Sequence, residues 1–237
     1  MKVIAIGDIH GRTAWQKIVT GNEYDKVVFV GDYFDSHDNI PGPIQLGNFR
    51  NILKFKRQNP TKVVLLIGNH DFQYLKVTNQ EYSGYQPWQK WDISDVLQPA
   101  VDNGEVVACF VADSVMYTHA GIGKTWLTHV FGEGINTTNI DLNVLQSAIN
   151  TTLLVTPKTF EFTSGKNHSM YGDDICQTPI WIRPGSLMVD KIDGVKQVVG
   201  HTYSDTIKIE EGIAFIDALG SGQYLTIVDG EMSTNSI

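Results

Sequence analysis

Met1-Lys2-Val3-Ile4-Ala5-Ile6-Gly7-Asp8-Ile9-His10-Gly11 opens the chain as an apolar run that stops at a glycine and then presents an acid and an imidazole. Residues 3–6 show no polar alternation, the pattern of a strand covered on both faces. Gly7 lets the backbone turn. Asp8 and His10, two positions apart, can point to the same side of a segment that is still nearly extended. A carboxylate oxygen and a neutral imidazole nitrogen suit Zn, Mn or Fe. Taken alone the pair reads as a solvated turn, and the decision rests on whether later segments supply more ligands in the same arrangement.

Later segments repeat the device. Residues 12–20 carry helical spacing in Trp15, Ile18 and Val19, with Gly21-Asn22 as the stop. Val27-Val28-Phe29-Val30 is a second strand, and it ends in Gly31-Asp32-Tyr33-Phe34-Asp35. A helix over 44–57 follows, with Leu46, Phe49, Ile52, Leu53 and Phe55 as apolar members and Pro41 and Pro43 in the loop before it. The strand 62–67 then runs into Gly68-Asn69-His70-Asp71. Strand-to-glycine junctions separated by helices describe a repeated βαβ arrangement. Parallel strands put their carboxyl ends on one edge, so Asp8, His10, Asp32 and Asn69 are expected to converge.

Beyond Asp71 the pattern loosens. Residues 74–91 are aromatic-rich and carry Gly84 and Pro87, which predicts a loop with short helical pieces. A helix over 91–102 stops at Asn103-Gly104. Strands 106–111 and 114–118 read as a hairpin joined through Ala112-Asp113, and the second delivers His119 before Ala120-Gly121. The segment 122–185 is the hardest to read. It holds a helix over 140–151, a polar stretch over 163–169, and Trp181-Ile182-Arg183-Pro184-Gly185. Strand 195–199 ends in Gly200-His201-Thr202, and short strands at 206–209, 213–216 and 224–228 complete the chain. The strand ends together offer Asp8, His10, Asp32, Asn69, His119 and His201, all oxygen or nitrogen ligands.

Composition sets the outer bounds. At 237 residues and 42% hydrophobic content the chain can bury a sizeable core. A net charge of -8 without a basic run argues against non-specific binding to nucleic acid or an anionic membrane. Nucleotide substrates stay open, because bound metals can supply local positive charge. Cys109 and Cys176 lie far apart, so neither a disulfide framework nor a zinc knuckle is expected, and a reducing cytoplasm fits. No signal peptide and no apolar window long enough to span a bilayer is evident. Asn136-Thr137-Thr138, Asn150-Thr151-Thr152 and Asn167-His168-Ser169 are taken as chance glycosylation matches.

The ordered set Gly-Asp-Ile-His-Gly, Gly-Asp-Tyr-Phe-Asp, Gly-Asn-His-Asp, Thr-His-Ala-Gly and Gly-His-Thr resembles the calcineurin-like metallophosphoesterase superfamily. It is closest to the branch of phosphoprotein phosphatases and bacterial or phage diadenosine tetraphosphatase-like enzymes. The resemblance runs from Asp8 to His201. It implies an α/β (α+β) fold, a four-layer αββα sandwich with two mixed β-sheets, here as one domain over 1–237 with 122–185 as a substrate-shaping insert. It also implies two divalent metal ions, with Mn first and Fe, Zn or Ni as alternatives. Asp8 and His10 would hold one, Asn69, His119 and His201 the other, and Asp32 would bridge them. His70 would protonate the leaving oxygen, oriented by Asp35. A satisfied structural histidine and a loop cap are the plainer readings of those two.

The implied function is a phosphatase that hydrolyses phosphomonoesters by direct attack of a hydroxide shared by the two metals, in one form serine/threonine protein phosphatase-like. The phosphorylated substrate is then a small molecule, a nucleotide or a phosphoprotein. Two departures matter. Ser36 and Ile67 stand where phosphoprotein phosphatases carry arginines, which puts phosphoserine peptides in doubt. Arg183 resembles the arginine that approaches phosphate in this branch, and a surface arginine capping a turn is its other reading. Tyr203 replaces the second histidine of a Gly-His-x-His ending, in keeping with the phosphatase-like branch. The alternatives are a nucleotide or dinucleotide polyphosphate hydrolase and, from another class, a silent protein-binding scaffold.

Other signals are weaker. Gly121-Ile122-Gly123-Lys124-Thr125 fails as a phosphate-binding loop because Thr118 stands where a glycine is required. His37, His129 and His168 read as ordinary surface or loop histidines, and Asp173-Asp174 as a solvated loop. The cluster Tyr82, Tyr85, Trp88 and Trp91 can stack a nucleobase, but packing beneath a long loop is the commoner explanation.

Overall fold

β1 (Lys2–Ile6) alternates between two interiors. Val3 and Ala5 join an apolar cluster with Val28, Leu66, Val115, Val198 and Ala214, while Ile4 and Ile6 join another with Val27, Phe29, Phe49, Ile52 and Leu97. A strand that buries both faces must lie between two layers, and that is why its sequence lacks polar alternation. The protein is described by a computed structural model that covers residues 1–135, 137, 140–164 and 173–237. His168, Asn136, Asn167 and most of the polar stretch 163–169 lie outside the described residues.

Two mixed sheets stack face to face. The first has six strands: β1, β2 (Lys26–Phe29), β3 (Val63–Leu66) and β4 (Val106–Val107) run parallel, and β10 (Gln223–Val228) and β11 (Glu231–Ser236) add antiparallel strands beyond β1. The second has five, in the order β5 (Phe110–Ala112), β6 (Val115–Tyr117), β7 (Lys196–Val199), β9 (Ile213–Phe215), β8 (Lys208–Glu210). β6, β7 and β9 are mutually parallel. Helices α1 (Trp15–Thr20), α2 (Gly42–Gln58) and α4 (Lys90–Asp102) give buried residues to the cluster on the outer face of the first sheet. Leu187 of the seven-residue α7 (Pro184–Asp190) covers Val199, Ile213 and Phe215 on the outer face of the second. This is the αββα sandwich, with a thin fourth layer. No helix among the described residues is long and apolar enough to cross a membrane.

The apolar run 106–111, expected as one arm of a hairpin, is two strands in two sheets. β4 pairs with β3, the chain crosses at Ala108-Cys109, and β5 pairs with β6. The hairpin itself turns through Asp113 and Ser114, both left-handed (φ 48° and 60°), as a type I′ connection requires. Crossing between sheets takes the Ala108 and Cys109 amides out of either ladder, and buried backbone groups must be paired. Asn150 does this from α6 (Leu142–Val155): its Oδ1 accepts both N–H groups at 3.0 and 2.9 Å, and its Nδ2 donates to the Cys109 carbonyl at 2.9 Å.

Other differences have local causes. α2 starts at Gly42 because Pro43, lacking an N–H, is at home in a first turn. α6 starts at Leu142, where the Asp141 carboxylate accepts the Asn143 and Val144 amides. α3 (Asn69–Phe72), α5 (Lys124–Phe131) and α7 are short, and β11 is a largely exposed edge strand, so none carries an apolar period long enough to read. Tyr82 and Tyr85 pack as expected beneath their loop, but Trp88 and Trp91 stand 75% and 67% exposed. Asp174, expected in a solvated loop, is buried and accepts the Cys176 amide.

Replacing Asn150 with alanine strands two donors and an acceptor. We expect Asn150→Ala to destabilise the fold by about 1–3 kcal/mol in urea unfolding, and Asn150→Asp, which keeps the accepting oxygen, to lose less.

Candidate metal centre

The carboxyl ends of both parallel blocks meet at one edge of the sandwich. From the first sheet β1 delivers Asp8, β2 delivers Asp32 and β3 delivers Asn69. From the second, β6 delivers His119 and β7 delivers His201, each two residues past its strand. Glycines make the approach possible. A Cβ at Gly68 would strike the Asp32 carboxylate, and one at Gly200 would strike that of Asp8. The sheets are tied here by the His201 N–H, which donates to both Asp8 oxygens at 3.1 and 3.0 Å, and by the His119 ring, whose Nδ1 lies 2.8 Å from the Val30 carbonyl. His10, Asp32, Asp35 and His201 all hold left-handed backbone (φ 43°, 51°, 58° and 67°), a conformation that costs about 1–3 kcal/mol outside glycine. Such residues persist only where their surroundings dictate the geometry, and they cluster here.

Two groups of ligand atoms share one residue. Asp8, His10 and Asp32 form the first, Asp32, His119 and His201 the second, each with its ligand atoms within 4.8 Å of one another. Oδ2 of Asp32 faces both, 3.8 Å from His10 Nε2 and 3.3 Å from His119 Nε2. The imidazoles are oriented from behind. His10 Nδ1 lies 2.6 Å from the Phe34 carbonyl, and His201 Nε2 lies 3.0 Å from the Trp181 carbonyl. A carbonyl only accepts, so in each neutral ring that nitrogen carries the proton and the other turns a lone pair inward, as in metal-binding histidines. In the amide orientation seen here, Asn69 Oδ1 lies 2.9 Å from both His119 Nε2 and His201 Nδ1. Lone pairs thus face lone pairs at the centre, an arrangement that a cation relieves. The residues fit divalent metal.

Electrostatics agree with a place built for positive charge. Burial, then the facing carboxylates of Asp217 and Asp32, push Asp8 well above the usual carboxylate range. Burial alone would raise Asp32 as well, but the imidazoles of His119, His70 and His10 more than reverse this and hold it low. Burial pushes His10 down to about 4, and burial followed by His119 pushes His201 far down, so both rings are held neutral, the form in which an imidazole can bind metal.

His70 and Asp35 sit beside this centre. His70 Nδ1 is 3.1 Å from Asp35 Oδ2. Burial would lower the His70 pKa, but Asp32 and the bond to Asp35 raise it overall. The Asp35 carboxylate is held by Tyr74 Oη at 2.6 Å, by Gln86 Nε2 at 3.0 Å and by Gln73 Nε2. Arg183 stands in the same cleft, with Nη1 donating to Thr202 Oγ1 at 3.2 Å, and burial lowers its pKa. The cleft holds about 440 Å³ and is lined by His10, Asp32, Asn69, His70 and His201, with Tyr82, Trp181, Tyr203 and Arg183 in its walls. His37, read as an ordinary surface histidine, is exposed but stands at the mouth, its ring 5.6 Å from that of His10. Hollows of about 580 and 600 Å³ lie elsewhere and gather no such ligand set among the described residues.

Sequence reading singled out the six convergent candidate ligands, His70, Asp35 and Arg183, and all of them stand at or beside the cleft. It missed the carboxylates and amides that hold them. Asp71, fully buried, accepts the backbone N–H groups of Asp32 (2.8 Å), Tyr33 (2.7 Å) and Gly68 (2.8 Å), locking the second and third junctions together. Its place in Gly-Asn-His-Asp was the available signal. Asp217 lines the cleft and follows an apolar run by the same two-residue step as His119 and His201, but no glycine marks it.

The family model for calcineurin-like phosphoesterases matches residues 1–203. The chain belongs to this family. As a calcineurin-like phosphoesterase it is a metal-dependent hydrolase of phosphorylated substrates, in a family that typically uses two divalent metals. No curated protein matches it. Among solved structures, the cold-active protein-tyrosine phosphatase of a psychrophilic Shewanella species is similar in fold, with a TM-score of 0.55 and 18% identity over 98% of this chain and 80% of that one. A metallophosphoesterase from Sphaerobacter thermophilus aligns at a TM-score of 0.46 and 13% identity, over 100% of this chain and 88% of that one.

The carboxylate of Asp71 carries the junctions that place Asp32 and Asn69 in this phosphoesterase. Asp71→Ala leaves three buried amides unpaired, and we expect a loss of about 3 kcal/mol or more in chemical unfolding. The isosteric Asp71→Asn, which keeps one accepting oxygen, is expected to fall between the two.

Proposed function

We propose that the protein is a dinuclear metal-dependent phosphatase that hydrolyses phosphomonoesters. Asp8, His10 and Asp32 would hold one ion and Asp32, Asn69, His119 and His201 the other. One observation carries this reading: two ligand groups meet at a single carboxylate oxygen of Asp32, beneath a cleft with an arginine in its wall. Divalent ions held there would supply positive charge toward a phosphate group and the Lewis acidity that lowers the pKa of water. Carboxylate, amide and imidazole donors suit Mn, with Fe, Zn or Ni as alternatives.

The remaining roles fall to the chain itself. His70 keeps a proton because Asp32 and Asp35 favour its charged form. Asp35 engages Nδ1, which leaves Nε2 to donate to the departing oxygen. The bonds from Gln73, Tyr74 and Gln86 keep that carboxylate from turning away. The Arg183 fork suits two phosphate oxygens, a geometry a lysine lacks. We take the chain to act as one domain over 1–237, with 122–185 shaping access, since Trp181 and Arg183 at its end stand in the cleft wall.

A second reading, a nucleotide or dinucleotide polyphosphate hydrolase, is favoured by the aromatic walls. Tyr82 and Trp181, with ring centroids 4.3 Å apart, offer surface against which a base can lie. The same walls accept an aryl phosphate, the chemistry named for the Shewanella tyrosine phosphatase.

Loaded with Mn²⁺, the protein is expected to hydrolyse p-nitrophenyl phosphate, with His70→Ala lowering kcat about 10²–10⁴-fold and Asp32→Asn weakening uptake of both ions. Near-full turnover by either variant rejects the mechanism, and a wild type with neither metal nor turnover favours a scaffold. Turnover of diadenosine tetraphosphate is to be compared with that of a phosphopeptide, and a clear preference for the peptide removes the second reading.

A further inference from the structure

The second sheet sends three parallel strands to the cleft, and the ligand groups use only two of them. His119 follows β6, His201 follows β7, and Asp217 follows β9, each two residues past the strand end. The pairing of Val199 with Phe215 puts His201 and Asp217 at equivalent steps on neighbouring strands. Each is the centre of a three-residue turn, although His201 is left-handed (φ 67°) and Asp217 is not. The Thr202 amide bonds the Gly200 carbonyl around His201 at 2.8 Å, and the Ala218 amide bonds the Ile216 carbonyl around Asp217 at 2.7 Å. Position 217, like His201, is thus the centre of a tight turn just past a strand end, with its residue lining the cleft.

Asp217 is only 6% exposed and lines the cleft, yet no hydrogen bond from the described residues reaches its carboxylate. Its oxygens are not sealed in: they open onto the cleft, which must supply their donors. Among its neighbours Asp8 and Asp32 repel it, while Arg12, His119 and His70 attract it without bonding it. The cation on that side is Arg12, whose guanidinium packs against Gly220, and whose bonds go to the Asp38 carboxylate at 2.6 Å and the Asp8 carbonyl at 3.3 Å. Asp217 lies outside both ligand groups, so direct coordination is not its role. What fits a nearly buried acceptor beside Asp8 and Asp32 is a donor that arrives with the metal.

We propose that Asp217 is a positioning residue that accepts hydrogen bonds from water in the shell of the ion held by Asp8, His10 and Asp32, so raising that ion's affinity. The inference rests on the dinuclear reading above. Removing an acceptor of this kind typically weakens metal binding about 10–100-fold. It also relieves repulsion in the metal-free protein, and a residue that merely supported the fold would do the opposite.

Asp217→Asn and Asp217→Ser, made metal-free, are to be titrated with Mn²⁺ by calorimetry and melted with and without the ion. We expect one of the two Mn²⁺ affinities to fall about 10–100-fold while the other is kept, and the metal-free variants to melt above the metal-free wild type. Wild-type affinities in both variants overturn the proposal, as does a lower metal-free melting temperature with unchanged Mn²⁺ binding. A wild type that binds a single ion counts against the dinuclear reading, and Asp217 is then judged on that one affinity.

Discussion

Five aspartates, Asp8, Asp32, Asp35, Asp71 and Asp217, are buried at one end of two stacked sheets, and this burden of charge sets the terms for everything around it. A buried carboxylate is tolerated only where hydrogen bonds or cations answer it. Asp71 is answered by three backbone amides, and Asp35 by a tyrosine, two glutamines and His70. Asp32 receives the His70 amide on one oxygen and faces imidazoles with the other. Asp8 has the amide of His201, a residue from the opposite sheet. The protein's own groups thus settle the outer carboxylates more fully than the inner ones, and the shortfall falls where the two ligand groups meet.

The same demand explains the backbone. Glycines at 68 and 200 leave room for carboxylates that any side chain would displace, and four non-glycine residues accept left-handed torsions so that their side chains point inward. These local penalties are held in place by the inter-sheet core behind them, where Val3, Val28, Val115 and Val198 pack together. Rigid strands therefore fix the ligands within a narrow range, and no flexible loop is asked to do so.

Much of this was legible because one device recurs: an apolar run, a glycine, then a polar ligand. It reveals Asp8, Asp32, Asn69 and His201, with His119 marked instead by the glycine two places after it, and it predicts their convergence once the strands are taken as parallel. Asp217 escapes because Ile216 stands where a glycine would have drawn attention. The break at Ala108-Cys109 escapes because an apolar run buried on both faces does not reveal which sheet it serves. The groups around Asp35 come from Gln73, Tyr74 and Gln86, in a segment whose aromatic content suggested a loop and nothing finer. Their roles depend on tertiary contacts that no local period encodes.

The pairing of Lys2 with Val228 has a consequence for how the chain reaches this state. β1 lies inside its sheet between β2 and β10, so one of its edges stays bare until residues 223–228 arrive. Contacts this distant in sequence slow folding, and an unpaired apolar edge invites association with other chains during the wait. The βα units of β1, β2 and β3 are local in sequence and can form while that edge is still open. Closure of that edge also secures the strand that carries Asp8.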